Sequence, residues 1–240
     1  VGPRTCDLLG LERMEDLRDL GLEYLRLDYG FSAQRVAELS GVFRIVVNAS
    51  TVSPDEIASW REAGADVTRF AACHNFYPKP YTGLALEDVA RTNLRLAALG
   101  FEIMAFVPGD ANVRGPVFEG LPTVEAQRGR ASKVALNMLE LAHGADCDIV
   151  LVGDPDLSEA GWAQFALISA GYVDMPCQLD PGYSYLLGQV HHDRPDSSAL
   201  IFRSQESRTS LKPDSVPTDA GAGLPRKAGS IAVSNSGYGR

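Results

Sequence analysis

Five short apolar runs constrain the fold of this chain more than any other feature of its 240 residues. The runs are continuous rather than alternating, which is typical of strands that are covered on both faces in a parallel sheet. Polar side chains follow each run. We predict strands over residues 25–30, 43–50, 67–77, 102–110 and 147–155. The sequence therefore predicts a parallel sheet with polar residues along the edge where its strands end.

Helix signals separate these runs along the chain. Ser53, Pro54 and Glu56 combine a capping serine, a proline in the first turn and a glutamate three residues after the serine. Gly64 then ends this helix. Further helices are predicted over residues 11–20, 86–99, 123–143 and 158–170. Strand and helix alternate, which predicts right-handed βαβ units.

Two folds have this alternation: an open doubly wound sheet and a (β/α)8 TIM barrel. Residues of the kind that bind ligands follow successive strands, at Asp28, Asn48, His74, Glu119 and Asp154. Successive strands feed one site in a barrel, whereas an open sheet binds where its strand order reverses. No GxGxxG motif follows a strand, so no dinucleotide or other cofactor is expected. The sequence favours a TIM barrel over residues 1–172.

Five strands do not close an eight-stranded barrel. We therefore expect that strand–helix units precede Val1 and that the chain is a truncated sequence. After about Tyr172 the helix signals stop, while residues 183–190, 198–203 and 230–234 have strand composition. Residues 209–227 are rich in Pro, Gly, Ser and Asp, which predicts a long loop. Residues 173–240 are predicted to begin a small β domain.

Charge and cysteine content argue against several classes of protein. The net charge of −9 argues against a nucleic-acid partner, because phosphate neutralisation needs a basic surface. The four cysteines are far apart and lack zinc-ligand spacing, so no metal site is predicted and a reducing, cytoplasmic location is expected. No apolar run approaches the roughly 18 residues of a membrane span, so no membrane partner is expected.

Four motifs occur in an order that resembles one known family. They are Asn48-Ala49-Ser50, residues 74–78 (HNFYP) with 81–84 (YTGL), residues 114–123 (RGPVFEGLPT), and Gly153-Asp154-Pro155. This set resembles the MupG-type 6-phospho-N-acetylmuramidase family, formerly a domain of unknown function or "outer surface protein" family. Its members have a TIM barrel followed by a cyclophilin-like β domain. The resemblance spans essentially the whole chain and implies both domains here.

The resemblance also implies an enzymatic activity. The implied enzyme is a glycosidase that hydrolyses the β-1,4 bond between 6-phospho-N-acetylmuramic acid and N-acetylglucosamine. This reaction is a cytoplasmic step in the recycling of peptidoglycan, the cell-wall polymer. The implied partner is therefore a small phosphorylated amino-sugar disaccharide.

Glycoside hydrolysis needs a carboxylic acid that protonates the leaving group and often a second carboxylate. The candidates near strand ends are Asp28, Asp110, Glu119 and Asp154. Glu119 lies in an apolar loop stiffened by Pro and Gly, a setting that suits a general acid. We predict Glu119 as the general acid and Asp28 as the second carboxylate. Attack by the substrate's own acetamido group, and structural roles for Glu119, Asp110 and Asp154, remain alternatives.

The phosphate and the lactyl carboxylate of such a substrate require cationic or N–H donors. Arg114 is predicted to supply one, because loops after late barrel strands commonly bind phosphate. The other predicted substrate-binding residues are Asn48, His74, Asn75, Tyr77 and Asp154. The polar ones suit sugar hydroxyls or the acetamido group, and Tyr77 suits stacking on a sugar ring. Arg128 is interpreted as a solvated surface charge on a helix.

Two other classes of function remain open. A metal-dependent sugar-phosphate epimerase or aldolase would use Asp28, His74, Glu119 and Asp154 as ligands at the barrel mouth. A non-catalytic carbohydrate-binding protein would use the β domain as its recognition module.

Overall fold

The computed structural model describes residues 1–2, 4–209, 216–217 and 225–235. The chain divides into two compact units, Val1–Asp174 and Met175–Arg240. The first unit contains a parallel sheet whose strands are β1 (Tyr24–Arg26), β2 (Arg44–Asn48), β3 (Ala71–Cys73), β4 (Glu102–Val107) and β5 (Ile149–Val152). All five predicted strands are therefore confirmed, although each is shorter than the apolar run that predicted it.

The strands lie side by side in chain order, β1-β2-β3-β4-β5, and every neighbouring pair is parallel. A doubly wound sheet reverses its order at a switch point, and this sheet does not. The five strands curl into a half barrel, so the first unit is an α/β domain with a TIM-barrel-like fold. This arrangement directs the carboxyl ends of all five strands to one edge.

Helices connect the strands as the alternating pattern predicted. They are α1 (Thr5–Leu9), α2 (Ala33–Ser40), α3 (Pro54–Glu62), α4 (Leu86–Ala97), α5 (Glu125–Arg128), α6 (Val134–Leu139) and α7 (Glu159–Ser169), with 3-10 turns at Met14–Leu20 and Val67–Arg69. The capping box of α3 is confirmed, because Ser53 Oγ accepts from the Glu56 amide and Glu56 accepts from the Ser53 amide.

Two helix predictions need correction. The single helix expected over residues 123–143 is broken into α5 and α6, and α6 continues as a π-helical turn, Glu140–Gly144. The break follows Gly129, the poorest helix former of the segment. The helix expected over residues 11–20 is the 3-10 turn Met14–Leu20 instead.

Alternation along the strands gives the sheet two different faces. The helix-side face packs against the helices and supplies the main core, with strand residues Leu25, Ile45, Val47, Ala72, Ile103 and Ala105. The opposite face, here called the inner face, forms a smaller cluster of strand residues, namely Val46, Ala71, Cys73 and Met104 with Tyr24, Phe106, Ile149 and Leu151. It also carries charge, since Arg44 donates to the Tyr24 hydroxyl at 2.8 Å and lies 3.2 Å from Glu102.

The second unit does not form the predicted strands within its described residues. It contains 3-10 turns at Pro181–Leu186 and Glu206–Arg208 and isolated bridges such as Asp193 with Ser204. None of its described side chains is buried, and strands without partners and a covered face are not stable. Most of the loop predicted over residues 209–227 lies outside the described residues. The cyclophilin-like fold implied for this unit stays a prediction.

The four cysteines, Cys6, Cys73, Cys147 and Cys177, are free thiols. In the described part of the chain, no helix combines the length and the apolar character needed to cross a membrane.

Candidate functional site

The predicted site residues follow the carboxyl ends of the strands along the chain, and strand alternation assigns His74 and Asn75, which come directly after β3, to different faces. Arg26 and Cys73 share the inner face with Tyr24 and Ala71, so Asn75, two residues after Cys73, continues on that side. Ala72 belongs to the helix-side core, so His74 continues on the other side. The contacts of His74 with Asn93 and of Asn75 with Arg26 agree with this division.

His74 is fully buried behind the sheet. Its Nε2 lies 2.7 Å from Oδ1 of Asn93 on α4, and Asn93 in turn donates to the Ala145 carbonyl at 2.6 Å. Burial lowers the pKa of the His74 imidazole, so the ring is neutral at pH 7. In this structure His74 joins β3 to α4, and its full burial favours this structural role over the substrate contact expected from the sequence.

Asp154 is also buried, with 5% of its surface exposed. Its Oδ2 accepts from the amides of Gly109 at 2.8 Å and Leu121 at 2.9 Å, and its Oδ1 accepts from the Arg114 amide at 3.0 Å. The carboxylate therefore fastens the loop of residues 108–124, here called the β4 loop, to the end of β5. These contacts correspond to the structural alternative for Asp154, and a direct contact with substrate stays a prediction.

Asp110 has a comparable role at the start of α7. It accepts from the Ser158 amide at 2.7 Å and from the Ser158 hydroxyl at 2.7 Å. Ser158 is the residue that caps α7. The carboxylate of Asp110 is thus engaged in joining the β4 loop to that helix.

Arg128 is not the solvated surface charge that its position on a helix suggested. Its side chain is 9% exposed, and it donates to the carbonyls of Tyr77 at 2.8 Å and Gly120 at 2.9 Å. It also donates to the carbonyls of Lys79 and Glu119. The guanidinium therefore joins the β4 loop to residues 74–85, here called the β3 loop.

Glu125 completes this connection. It pairs with Arg128 at 2.8 Å and accepts from the amides of Tyr81 at 2.9 Å and Gly83 at 2.7 Å. The hydrogen bonds from Arg128 lower the pKa of Glu125 to about 2. A Cβ atom on Gly83 would lie 2.8 Å from the Glu125 amide nitrogen, so only glycine fits this close approach.

The inner face places a second arginine in the site. Arg26, the last residue of β1, contacts Oδ1 of Asn75, and its Nε lies 3.9 Å from Oδ1 of Asp28. The Arg26 side chain is 31% exposed and that of Asp28 is 57% exposed. Sequence reasoning assigned no role to Arg26. The available signal was its charge between the apolar residues Leu25 and Leu27, since alternation points such a side chain away from the helices.

Aromatic side chains extend the site towards β4. Phe76 and Phe106 pack edge to face with their ring centroids 5.3 Å apart. The guanidinium of Arg114 lies 5.9 Å from the centroid of Phe76, a cation–π distance. Arg114 itself is exposed. Its backbone is fixed by Asp154, while its charged group remains at the surface.

The remaining predicted residues differ in what their side chains can reach. Asn48 uses its Oδ1 to accept from the Ser50 amide at 3.0 Å, which forms a turn after β2. Tyr77 is half-buried and joins the β4 loop through its backbone amide, which donates to the Pro122 carbonyl at 3.0 Å. Glu119 is exposed, so the β4 loop does not provide the burial that the apolar sequence around it suggested.

The structure thus connects Asp28, Asn75, Arg114 and Asp154 through successive contacts, with Arg26 and Phe76 between them. It does not bring His74 to this surface. Among the described residues, no group of three or more His, Cys, Asp or Glu side chains is placed to hold a metal ion. The ligand set of the metal-dependent alternative is therefore not assembled here.

These features define an α/β protein with a TIM-barrel-like parallel sheet and a polar site at its carboxyl edge. The chain belongs to the 6-phospho-N-acetylmuramidase family, whose N-terminal domain matches residues 1–167 and whose C-terminal domain matches residues 177–240. The family expected from the four sequence motifs is thereby confirmed. No curated protein matches the chain.

Two solved structures are similar to this chain. One is a conserved protein of unknown function from a locus in Enterococcus faecalis, with 34% identity and a TM-score of 0.62, covering 68% of this chain and 48% of that one. The other is an uncharacterized B. cereus protein, with 25% identity and a TM-score of 0.58, covering 82% of this chain and 60% of that one. The chain therefore spans 48% and 60% of the lengths of these two proteins.

Proposed function

We propose that this protein is a cytoplasmic glycosidase that cleaves 6-phospho-N-acetylmuramic acid from N-acetylglucosamine during peptidoglycan recycling. Membership of the 6-phospho-N-acetylmuramidase family over both of its domains carries this proposal. The carboxyl edge of the sheet supports it, because barrel enzymes place their chemistry at that edge.

The contacts of the four candidate carboxylates favour two of them as catalytic groups. Asp154 and Asp110 are engaged by backbone donors and fasten loops. The side chains of Asp28 and Glu119 are exposed, and the charged groups nearest to Asp28 lie 3.9 Å from its oxygens, so both carboxylates can be reached by a substrate. We assign Glu119 as the general acid that protonates the departing oxygen of N-acetylglucosamine. Asp28 then acts as the second carboxylate, as a nucleophile, a base or a polarising group for the acetamido oxygen.

The proposal is tested by incubating the full-length protein with the 6-phospho-N-acetylmuramic acid–N-acetylglucosamine disaccharide and measuring both products by mass spectrometry. Glu119→Gln and Asp28→Asn are each expected to lower kcat by about 100- to 10,000-fold, the usual contribution of a general acid or base. Matched controls are Glu62→Gln, at the far end of α3, and Asp19→Asn, which precedes β1; both residues are exposed.

The outcomes separate the activity from its assignment to residues. Absence of turnover by the wild-type protein would overturn the proposed activity, and tight binding of the intact disaccharide in that case would favour a carbohydrate-binding protein. Turnover that survives both substitutions would retain the activity and reject the two catalytic assignments.

A further inference from the structure

Two arginines lie on either side of one dipeptide in the candidate site. Asn75 contacts Arg26 through its side-chain oxygen, and the ring of the next residue, Phe76, lies against the guanidinium of Arg114. The two cations therefore contact neighbouring residues of the β3 loop. One cation comes from β1 and the other from the β4 loop.

The two guanidinium groups differ in how far neighbouring groups neutralise their positive charge. Arg26 lies 3.9 Å from the carboxylate of Asp28 and also contacts an amide oxygen, so part of its charge and one of its donors are engaged. Among the described residues, the Arg114 guanidinium has no acidic group within ion-pair distance and no hydrogen-bond acceptor, and it lies 5.9 Å from the centroid of the Phe76 ring. Arg114 therefore retains its full set of five N–H donors for a ligand.

The proposed substrate has two anionic groups of different charge. Its lactyl carboxylate is a monoanion with two coplanar oxygens, and its phosphate is close to a dianion at pH 7 with three acceptor oxygens. A partly neutralised arginine that is held in a fixed orientation matches the planar carboxylate. An arginine with all donors available matches the phosphate.

We propose that Arg26 binds the lactyl carboxylate and Arg114 binds the phosphate, so that the two arginines select for 6-phospho-N-acetylmuramic acid over other amino sugars. This inference rests on the proposed function, because it takes the substrate from it. Arg26 and Arg114 are specificity-determining residues, and the Asn75–Phe76 dipeptide contacts both of them. A sugar that lacks one anion loses the contribution of one arginine and keeps the other.

Binding of four monosaccharides to the full-length protein tests this division by calorimetry. The ligands are 6-phospho-N-acetylmuramic acid with both anions, N-acetylmuramic acid with the carboxylate, 6-phospho-N-acetylglucosamine with the phosphate, and N-acetylglucosamine with neither. In the wild-type protein, each anion is expected to increase affinity by about 10- to 100-fold, the range for charge-assisted hydrogen bonds.

Each substitution is expected to remove the gain in affinity that one of the two anions provides. Arg114→Gln should remove the affinity gained from the phosphate and keep that gained from the carboxylate, and Arg26→Gln should do the reverse. Arg26→Lys, which retains the charge without the planar fork, should keep only part of the carboxylate increment. Arg91→Gln, an exposed arginine on α4 that pairs with Asp88, is the matched control and should change neither increment.

A swapped pattern, or unchanged increments in both glutamine variants, would overturn the assignment. Partial misfolding of a variant does not imitate the expected result, because it scales all four affinities together and leaves their ratios unchanged. The binding assay is also independent of turnover. If each glutamine variant loses its own increment but the wild-type protein does not cleave the disaccharide, the proposed activity fails and the anion assignment stands. Cleavage by the wild-type protein with unchanged increments in both variants gives the opposite conclusion.

Discussion

The helix-side and inner faces of the sheet put the same kinds of polar residue to different uses at the carboxyl edge. On the helix side, His74 is buried and held by an internal hydrogen bond, and Asp154, which follows β5, is likewise buried and held by backbone amides. On the inner face, Arg26 and Asp28 remain partly exposed, and they are connected to Asn75. A polar residue after a strand is therefore not by itself evidence of a ligand contact. The face on which it lies decides whether it fastens a loop or reaches a substrate.

The largest expected effect on stability is at Asp154, which fastens the β4 loop. Asp154→Ala removes the acceptor of three backbone amides, those of Gly109, Arg114 and Leu121, and leaves buried donors without partners. We expect the free energy of unfolding to fall by about 3 kcal/mol, since each unsatisfied buried group costs roughly 1 kcal/mol or more. Urea denaturation measures this loss of unfolding free energy. Asp19→Ala, on the exposed surface before β1, serves as the control and should change stability by less than about 0.5 kcal/mol. Equal losses in the two variants would contradict the fastening role.

A smaller loss is expected at Arg128. Arg128→Lys keeps the positive charge but cannot reproduce the planar fork that donates to Tyr77, Gly120 and Glu125 together. We expect a loss of about 2 kcal/mol in unfolding free energy, from several weakened charge-assisted hydrogen bonds. Hydrogen exchange should be faster in Arg128→Lys at the Tyr81 and Gly83 amides, which donate hydrogen bonds to Glu125. Arg91→Lys is the control on α4, and similar exchange in both variants would reject the role of the fork.

The smallest of these effects depends on pH and isolates the Glu125–Arg128 pair. Because the pKa of Glu125 is lowered from 4.5 to about 2 in the folded protein, its contribution is fully present above pH 4.5 and is lost as the pH falls towards 2. The stability difference between wild type and Glu125→Gln should therefore shrink by about 1 kcal/mol between pH 5 and pH 2, with allowance for solvent screening of a partly exposed group. Chemical denaturation at each pH measures this difference. A difference that stays constant or grows would contradict the assignment.

Much of the fold could be predicted from local patterns. The continuous apolar runs located all five strands, and the capping box placed the start of α3 correctly. Helix α2 was missed although Ser32 caps it and Val36 and Leu39 form its buried stripe, so the signal was present in the sequence. The break between α5 and α6 occurs at a single glycine, Gly129, within an otherwise helical segment. One glycine did not outweigh the helical pattern of its neighbours in the prediction. The strands expected after residue 173 failed to form because a strand needs partners that composition does not show.

The site was less predictable, for two physical reasons. Burial of an exposed-looking residue such as Arg128 depends on which loops converge over it, and these are distant in sequence. The division between faces could have been predicted from strand alternation, because residues two apart lie on the same face. His74 therefore shares the face of Ala72, and Asn75 shares the face of Cys73. Alternation counted along β1 and β3 predicts from the sequence that Arg26 and Asn75 lie on the opposite face of the sheet from His74.

The division of labour between the two faces is tested most directly at two neighbouring residues. Thermal unfolding and kcat/KM should be measured side by side for His74→Ala and Asn75→Ala in the full-length protein. We predict that Asn75→Ala lowers kcat/KM by about tenfold, since Arg26 loses an oriented hydrogen bond, and shifts Tm by less than about 3 °C. His74→Ala should lower Tm by more than about 5 °C and retain kcat/KM below its Tm. Loss of activity without loss of stability at His74, with the reverse at Asn75, would contradict the assignment of the two faces.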